Sequence, residues 1–350
     1  MPPDLAERTL ELVNIPSPSR AEAPLLEHVR HAVSLPLTYG TDEALLFASP
    51  RSGRPLVLLA GHLDTVPAQD NLPGRIENES VIGLGASDMK GGLAVMVELA
   101  NWAAEQSDGL ECDVGFLFFV REELLAEESA LPRVFEEAPL VLESDLVVVL
   151  EPTDNAIHAG CLGNLNATAV FRGESAHSAR PWQGVNAIDV AVRGLEQVVA
   201  SDPLEVDVGG LAFVEVLSAT RIAGGIADNV IPDRVDVHLN FRYAPDRTRE
   251  EAETRLRELV GTRVELEITS NSPPARVATD SALVQRLRDA GGLALEPKQA
   301  WTPVAEFSGQ GLDAVNLGPG ATRYAHRRDE QVEIAELERT FETLRRFVSS

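Results

Sequence analysis

Imidazole and carboxylate side chains recur in this sequence at the points where short apolar runs end. The runs are PLVLLA (55–60), VGFLFFV (114–120) and LVVVL (146–150). The ionisable residues that follow them are His62, Asp64, Glu122, Glu123 and Glu151. Short continuous runs of this kind are typical of strands buried on both faces of a parallel sheet, and ligands bind beyond the carboxyl ends of such strands. The sequence therefore predicts one site at one edge of a sheet.

Two further segments supply the same kinds of side chain. Asp88 lies in the glycine-rich segment GLGASDMKGG, and His326 lies in YAHRRDE, just after the predicted strand in AVNLGPG (314–320). Imidazole nitrogen and carboxylate oxygen are standard zinc ligands, and two neighbouring metals need a carboxylate that can bridge them. Asp88 is predicted to be that bridge, because a glycine-rich loop lets backbone and metal approach closely. The predicted ligands are His62 and Glu151 on one metal, Glu123 and His326 on the other, and Asp88 on both.

Two residues of this constellation are predicted to act without binding metal. Asp64 lies two positions after His62 and could accept the second ring N–H of that histidine, which would fix its tautomer. Glu122 is left beside the metal-bound water, where a general base belongs. The constellation thus predicts a hydrolase with two divalent ions per chain, zinc with cobalt as an alternative.

Each segment also has a simpler interpretation. A single His-x-Asp is usually a surface pair, and a Glu-Glu pair after a strand is usually a solvated turn. GLGAS resembles a dinucleotide-binding loop, but Asp88 stands where the third glycine of that motif belongs. Five segments of matching chemistry favour the metal site over five separate coincidences. The other histidines are expected at the surface or in the core: His28, His31, His158 and His238.

Composition limits the class of protein further. The 350 residues include 44% hydrophobic ones, enough for a sizeable core, and carry a formal net charge of −25. This charge argues against nucleic acid and anionic membranes as partners, but a few arginines in a pocket can still bind a small anion. Two cysteines, no signal-peptide pattern and no run of membrane-spanning length predict a cytoplasmic protein.

The order of predicted elements changes near residue 165. Up to that point strands alternate with helices, which predicts an α/β fold with a largely parallel sheet. From 165 to 272 the order is β-α-β-β-α-β, the ferredoxin-like arrangement. We therefore predict a catalytic metal-binding domain from residues 1–164 and 273–350, interrupted by an inserted α+β domain over 165–272. NSPPAR (271–276) is the predicted return linker.

Taken together, the motifs resemble one known family. GHLDTVP, GASDMKGG, REE after a strand, EPT and AHRRDE, in this order and spacing, are similar to the di-zinc aminoacyl hydrolases. That family includes succinyl-diaminopimelate desuccinylases, acetylornithine deacetylases and glutamate-releasing carboxypeptidases. The resemblance covers nearly the whole chain. It implies amide hydrolysis on a small anionic N-acyl amino acid, a homodimer formed through the inserted lid domain, and a cis peptide between Asp88 and Met89.

Several stretches resemble the desuccinylase branch most closely, namely 173–188, 227–245 and 300–307. The resemblance implies that His177 reaches across the dimer to stabilise the oxyanion, although from the residues alone it reads as an exposed loop histidine. It also implies substrate-binding roles for Asn229, Arg242 and Thr302. Arg242 follows an alternating strand and could bind a substrate carboxylate through two hydrogen bonds. Arg180 is a further candidate for substrate binding, with a structural salt bridge as its alternative.

The sequence departs from the family pattern at a few positions. Leu124 and Leu125 follow the glutamate pair where glycine is common, and Pro303 and Glu306 replace other polar or basic residues. These changes leave the metal ligands intact and leave the acyl group open. The alternatives are acetylornithine deacetylation, another N-acyl amino acid activity of the family, and a metal-binding homologue that has lost catalysis. The presence of Glu122 with every ligand favours an active enzyme.

Overall fold

The computed structural model describes residues 4–106, 109–124, 126–261 and 264–349. The chain divides into two compact units. The first comprises Met1–Ala159, Ala278–Glu296 and Glu306–Ser350, and the second comprises Gly160–Val277 and Pro297–Ala305. Leu125, noted above as a departure from the family pattern, lies outside the described residues.

The second unit includes a segment, Pro297–Ala305, that the sequence analysis assigned to the catalytic domain. Local hydrogen bonds explain this grouping. The N–H of Leu162 donates to the carbonyl of Lys298 at 3.3 Å, and Trp301 Nε1 donates to the carbonyl of Pro273 at 3.0 Å. These contacts join residues that are more than 25 positions apart, so they cannot be predicted from the periodicity of the sequence.

The first unit is built from strands and helices that mostly alternate along the chain. The helices that lie wholly or partly in it are α1 Leu5–Val13, α2 Ala23–Ala32, α3 Gly91–Ala104, α4 Leu131–Glu137, α5 Pro139–Leu142, α9 Ala282–Gly291, α10 Val304–Gly309 and α11 Ile334–Ser349. The strands that lie wholly or partly in it are β1 Leu37–Gly40, β2 Ala44–Ala48, β3 Leu56–His62, β4 Arg75–Glu77, β5 Ser80–Ile82, β6 Asp113–Phe119, β7 Leu146–Val149, β8 Ile157–Cys161, β16 Leu295–Lys298, β17 Ala314–Asn316 and β18 Gln331–Glu333.

Eight of these strands form one mixed sheet in the order β1-β2-β6-β3-β7-β17-β8-β16. The four central strands β6, β3, β7 and β17 run parallel, as predicted, and antiparallel strands flank them. Every residue of β3, β6 and β7 is buried, which accounts for their uninterrupted apolar sequences. α3 packs against β3 and β6, and the amphipathic α11 packs against α3.

The second unit consists of a five-stranded antiparallel sheet with helices on one face. Its elements are β9 Gly163–Arg172, β10 Ala176–His177, α6 Ala187–Gly194, α7 Glu196–Val199, β11 Leu204–Val208, β12 Leu211–Gly224, β13 Val230–Ile231, β14 Arg234–Tyr243, α8 Arg249–Val260 and β15 Glu265–Ser272. The sheet order is β11-β12-β14-β9-β15. The strand β11 pairs with β12 at one edge and is absent from the predicted order.

The helices of this unit begin and end for local reasons. The first helix of the predicted β-α-β-β-α-β order is two helices in the structure, α6 and α7, with Leu195 between them. Gly194 ends α6 against β9, where an added Cβ would lie 2.3 Å from the Phe171 ring. A capping box starts α8: Thr248 and Glu251 exchange side-chain to backbone hydrogen bonds of 2.8 and 3.2 Å.

Cys112 and Cys161 are both free thiols, and both are buried. None of the described helices is long and apolar enough to cross a membrane.

Candidate active site

Three neighbouring parallel strands deliver the predicted ligands to one edge of the first sheet. β3 ends at His62, which pairs in register with Phe119 at the end of β6. Ala60 of β3 pairs with Val149 at the end of β7. The segments that follow β6 and β7 carry the glutamates, so their carboxylates gather around the imidazole of His62. The strand register is therefore the reason why residues 60 to 90 positions apart meet.

The two oxygens of Asp88 face two different histidines. Asp88 Oδ1 lies 3.2 Å from His62 Nε2, and Oδ2 lies 3.7 Å from His326 Nε2. His62 Nε2 is also 3.8 Å from Glu151 Oε1, whereas His326 Nε2 is 2.9 Å from Glu123 Oε1. The structure thus brings together all five predicted ligands, in two groups that share Asp88.

The electrostatics of this cluster suit a cation. Burial of His62 disfavours its charged form, yet hydrogen bonds with Asp64 and Asp88 raise the pKa of His62 well above its ordinary value. The hydrogen bond with Glu123 raises the pKa of His326 to about 9. Five carboxylates surround two imidazoles here, so the cluster carries excess negative charge that divalent cations would neutralise. Nitrogen and oxygen donors in this proportion fit zinc-type metal ions.

Asp64 holds the site through more contacts than the predicted one with His62. The atom nearest to His62 Nδ1 is the backbone carbonyl oxygen of Asp64, at 3.0 Å, and Asp64 Oδ1 lies 3.5 Å from the same nitrogen. The carboxylate also accepts the backbone N–H groups of Glu122 and Glu123, at 3.0 and 3.1 Å, and the hydroxyl of Ser19 at 2.8 Å. Asp64 therefore fixes both the His62 ring and the loop that carries the glutamate pair.

Glu122 lies beside the ligand cluster with a strongly perturbed carboxyl group. Its carboxylate, the His62 imidazole and the Glu151 carboxylate each have an atom within 4.8 Å of the others. Burial, followed by the nearby negative charges of Glu151 and Glu123, raises the pKa of Glu122 well above its ordinary value. A carboxylate with this raised affinity for a proton is suited to general-base chemistry.

The loop that carries Asp88 depends on two residues to which the sequence analysis gave no role. The Asp88–Met89 peptide is cis, which confirms the prediction. The buried Glu330 carboxylate accepts the backbone N–H groups of Gly85, Ser87 and Asp88, at 2.9, 3.1 and 2.9 Å.

Lys90 is the second of these residues. It is buried and donates from Nζ to the carbonyl of Ile15 at 2.8 Å. Burial lowers the pKa of Lys90 to about 7, against the attraction of Glu330. The sequence signal was available, since Lys90 and Glu330 lie inside the quoted motifs and Lys90 is one of only two lysines.

In the second unit, two predicted residues lie side by side. β10 and β13 pair so that His177 stands opposite Val230, and Ser178 N–H donates to the Asn229 carbonyl at 2.9 Å. His177 is exposed, and its Nδ1 accepts the N–H of Ala179 at 3.0 Å. The neutral ring therefore carries its proton on Nε2, the nitrogen left to donate to a ligand.

Arg180 is exposed, and its backbone N–H donates to the His177 carbonyl at 2.7 Å. Its side chain forms no ion pair with the residues that the structure describes, so the salt-bridge alternative has no support.

Arg242 and Thr302 lie near the same buried thiol. The Cys161 Sγ is 4.0 Å from the Thr302 carbonyl oxygen, and Cys161 also lies close enough to Arg242 to affect the pKa of its guanidinium. Arg242 is half-buried, and burial lowers its pKa. The structure therefore places both predicted residues, Arg242 and Thr302, near Cys161 in the second unit. Both are distant in sequence from the segment that contains His177.

The fold and the site define a metal-dependent hydrolase. The chain belongs to the family described as peptidase family M20/M25/M40, which matches residues 58–350. A putative succinyl-diaminopimelate desuccinylase from Mycobacterium tuberculosis is 37% identical, covering 99% of this chain and 98% of its own. A succinyl-diaminopimelate desuccinylase from Corynebacterium glutamicum is 34% identical, covering 97% and 95%.

A solved tripeptidase structure from Staphylococcus aureus has the same fold. It covers 99% of this chain and 97% of its own, with a TM-score of 0.80 at 21% identity. The chain is thus a metal-dependent amide hydrolase by family, and the tripeptidase structure supports the fold alone.

Proposed function

We propose that this enzyme hydrolyses N-succinyl-LL-2,6-diaminopimelate to succinate and LL-2,6-diaminopimelate, a reaction of lysine and diaminopimelate biosynthesis. The observation that carries the proposal is the arrangement around Asp88, whose two oxygens face two histidines while Glu122 stands beside them. The two relatives named above support the substrate assignment. Both are named for this activity, and both align with this chain over nearly their whole length.

Two divalent metal ions per chain, zinc or cobalt, complete the proposed site. His62 and Glu151 would hold one ion, Glu123 and His326 the other, and Asp88 both. When bound, such ions polarise the amide carbonyl and lower the pKa of water. Elemental analysis after mild dialysis tests this stoichiometry: close to two ions per chain support it, and a value that never exceeds one under saturating zinc contradicts it.

The chain's own residues perform the remaining steps. Glu122 takes a proton from the attacking water and passes it to the leaving amine, because its raised pKa suits both transfers. The Asp64 carboxylate accepts the backbone N–H of Glu122 and so keeps the Glu122 backbone in place. His177 of the partner subunit donates from Nε2 to the oxyanion that forms at the amide carbonyl. Arg242, with Asn229, Thr302 and Arg180, binds the substrate, and the guanidinium of Arg242 pairs with a carboxylate.

The inserted unit acts in this proposal as a ferredoxin-like lid and dimerisation domain. Its strands β15, β9, β14 and β12 are neighbours in that order and antiparallel, with β11 added at the edge. Large apolar side chains are exposed on this unit, among them Val192 (61%), Val199 (82%) and Ile222 (61%). Such exposure on a single unit favours contact with another protein surface, and the proposed occupant is a second copy of this chain.

A substrate panel tests the proposed activity. The purified enzyme, loaded with zinc or cobalt, is assayed with N-succinyl-LL-2,6-diaminopimelate, acetylornithine and a glutamate-terminated dipeptide. The proposal expects kcat/KM to be highest for the succinyl substrate. A preference for acetylornithine would transfer the assignment to deacetylation with the same metal site and base. Full metal loading without turnover of any member would favour the non-catalytic homologue.

A further inference from the structure

The sheet of the second unit has one apolar face and one polar face. On β14 every second residue from Val235 to Tyr243 is buried in the core of this unit. Asn240 and Arg242 alternate with these residues, so they project from the opposite face, where both are half-buried. The polar face therefore follows from the alternation of side chains along the strand. Its polar side chains are half-buried, whereas the polar face of a sheet is usually exposed to solvent.

Three asparagine side chains form a ladder across this polar face. The register of β9 and β14 pairs Asn166 with Asn240 and Asn164 with Arg242. Asn240 Nδ2 donates to Asn164 Oδ1 at 2.7 Å and to Asn166 Oδ1 at 2.8 Å. Asn166 Nδ2 in turn donates to Ser270 Oγ on β15 at 3.0 Å. These bonds hold the Asn240 amide in one orientation, with its Oδ1 directed to Arg242.

The ladder positions Arg242 without neutralising it. Arg242 Nε donates to Asn240 Oδ1 at 2.9 Å, and within the described part of the chain Arg242 has no carboxylate partner. A neutral acceptor on Nε sets the plane of the guanidinium and leaves its terminal amino groups for a ligand. That edge matches a carboxylate through two parallel hydrogen bonds. A half-buried charge without a counter-charge is costly, so this arrangement favours an anionic ligand.

We propose that Asn240 is a positioning residue that sets the enzyme's preference for a substrate with a terminal carboxylate, acting through Arg242. The inference rests on the proposed function, in which Arg242 binds a substrate carboxylate. An aspartate at position 240 has nearly the same shape as asparagine but carries the opposite charge to Arg242. It would lose the two Nδ2 hydrogen bonds to Asn164 and Asn166. It would still offer an acceptor to Arg242 Nε, form an internal ion pair and weaken the attraction of the guanidinium for a substrate anion.

A matched pair of substrates tests this proposal in the metal-loaded enzyme. N-succinyl-diaminopimelate and N-butanoyl-diaminopimelate have acyl chains of equal length, and only the succinyl chain ends in a carboxylate. We expect wild-type kcat/KM to favour the succinyl substrate strongly. Asn240→Asp should lower this preference by about tenfold or more, the range for losing a charge-assisted pair, through a higher KM for the succinyl substrate. The kcat/KM for the butanoyl substrate should change by less than about threefold, because no charged contact is lost.

Two further variants show whether the effect passes through Arg242. Thr168→Asp adds the same charge to the polar face of β9, two residues beyond Asn166 and outside the ladder, and should keep nearly the wild-type preference. In an Arg242→Gln background, Asn240→Asp should have no further effect on the preference.

The inference is overturned if Asn240→Asp lowers kcat/KM equally for both substrates, or if it leaves a strong wild-type preference unchanged. It is also overturned if Thr168→Asp lowers the preference as much as Asn240→Asp does. A wild-type preference near one would overturn the proposed carboxylate recognition as well, so the two failures are distinguishable.

Discussion

In the first unit, three of the five predicted ligands, His62, Glu123 and Glu151, stand at or just after the ends of fully buried strands. The buried carboxylates of Asp64 and Glu330 hold neighbouring loops by accepting backbone N–H groups. In the second unit, His177, Arg180 and Asn229 are exposed. The contrast separates two kinds of function. His62 and Glu122, whose pKa values are strongly shifted, lie at a largely buried edge of the sheet, whereas His177, Arg180 and Asn229, three of the residues proposed to complete the site, lie on an exposed surface.

The largest effect is expected at the base of the buried edge. Glu122→Gln should lower kcat by about two to four orders of magnitude, the usual range for a lost general base, because the amide cannot accept the water proton. Metal content, measured by elemental analysis, should stay near normal, since Glu122 is assigned no ligand role.

Glu123→Gln is the matched control, one position along the same loop. It should remove the charge from the contact with His326 and weaken binding of one metal ion. If metal loss followed Glu122→Gln and normal loading followed Glu123→Gln, the two roles would have to be exchanged.

The exposed His177 gives the next effect. His177→Ala should lower kcat by about 10²–10³, the range for one oxyanion donor, while metal content and the proposed subunit association stay as in wild type. If His177 serves the neighbouring subunit, mixing this variant with Glu122→Gln under subunit exchange creates one site with both defects and one with neither. Activity should then partly return. A mixture that stays inactive despite proven exchange would place the action of His177 within its own subunit or remove it from catalysis.

Glu330 tests whether the buried edge depends on its supporting groups. Glu330→Ala removes the acceptor for three backbone N–H groups of the Asp88 loop, so Asp88 should lose its fixed orientation. We expect metal affinity to fall by about 10- to 100-fold, the usual range for residues that orient metal ligands. Competition with a chelator measures it.

Asp329→Ala is the control, because Asp329 is exposed and pairs only with Arg327 in the described structure. Equal metal affinity in the two variants would show that the Asp88 loop keeps its geometry without Glu330.

The smallest effect concerns stability. Burial raises the pKa of Glu306 to about 7, although a hydrogen bond donated by Ser129 acts in the opposite direction. A carboxyl group whose pKa is raised on folding stabilises the fold at low pH and loses that contribution as pH rises through the folded value. Glu306→Gln should therefore match wild type near pH 4.5 and become more stable towards pH 7 and above, by up to about 3 kcal/mol.

Thermal unfolding across this pH range measures the difference. Glu342→Gln serves as the control of opposite sign, because hydrogen bonds from Arg345 and Arg346 lower the pKa of Glu342 to about 2. Loss of the Glu342 carboxylate should destabilise the protein at neutral pH and have less effect as pH falls towards 2. A Glu306→Gln difference that does not vary with pH would contradict the role of burial.

Much of the fold could be predicted from periodicity and chain order. The parallel central strands are read from uninterrupted apolar runs, because strands buried on both faces carry no polar residues. Edge strands such as β1 and β11 were not predicted: their side chains are largely exposed, so their sequences lack a buried pattern. The break between α6 and α7 was also missed, since it depends on Gly194 meeting Phe171 of another strand.

The sequence by itself determined the chemistry of the metal edge. Residue types at the ends of strands identify ligands and base, because parallel strands deliver their carboxyl ends to one place. Only the tertiary structure decided how those groups are held. Asp64 binds the glutamate loop through its carboxylate, and Glu330 binds the Asp88 loop from more than 240 positions away. Such hydrogen bonds depend on the distance and direction of backbone groups in space, and residue types and spacing carry no record of either.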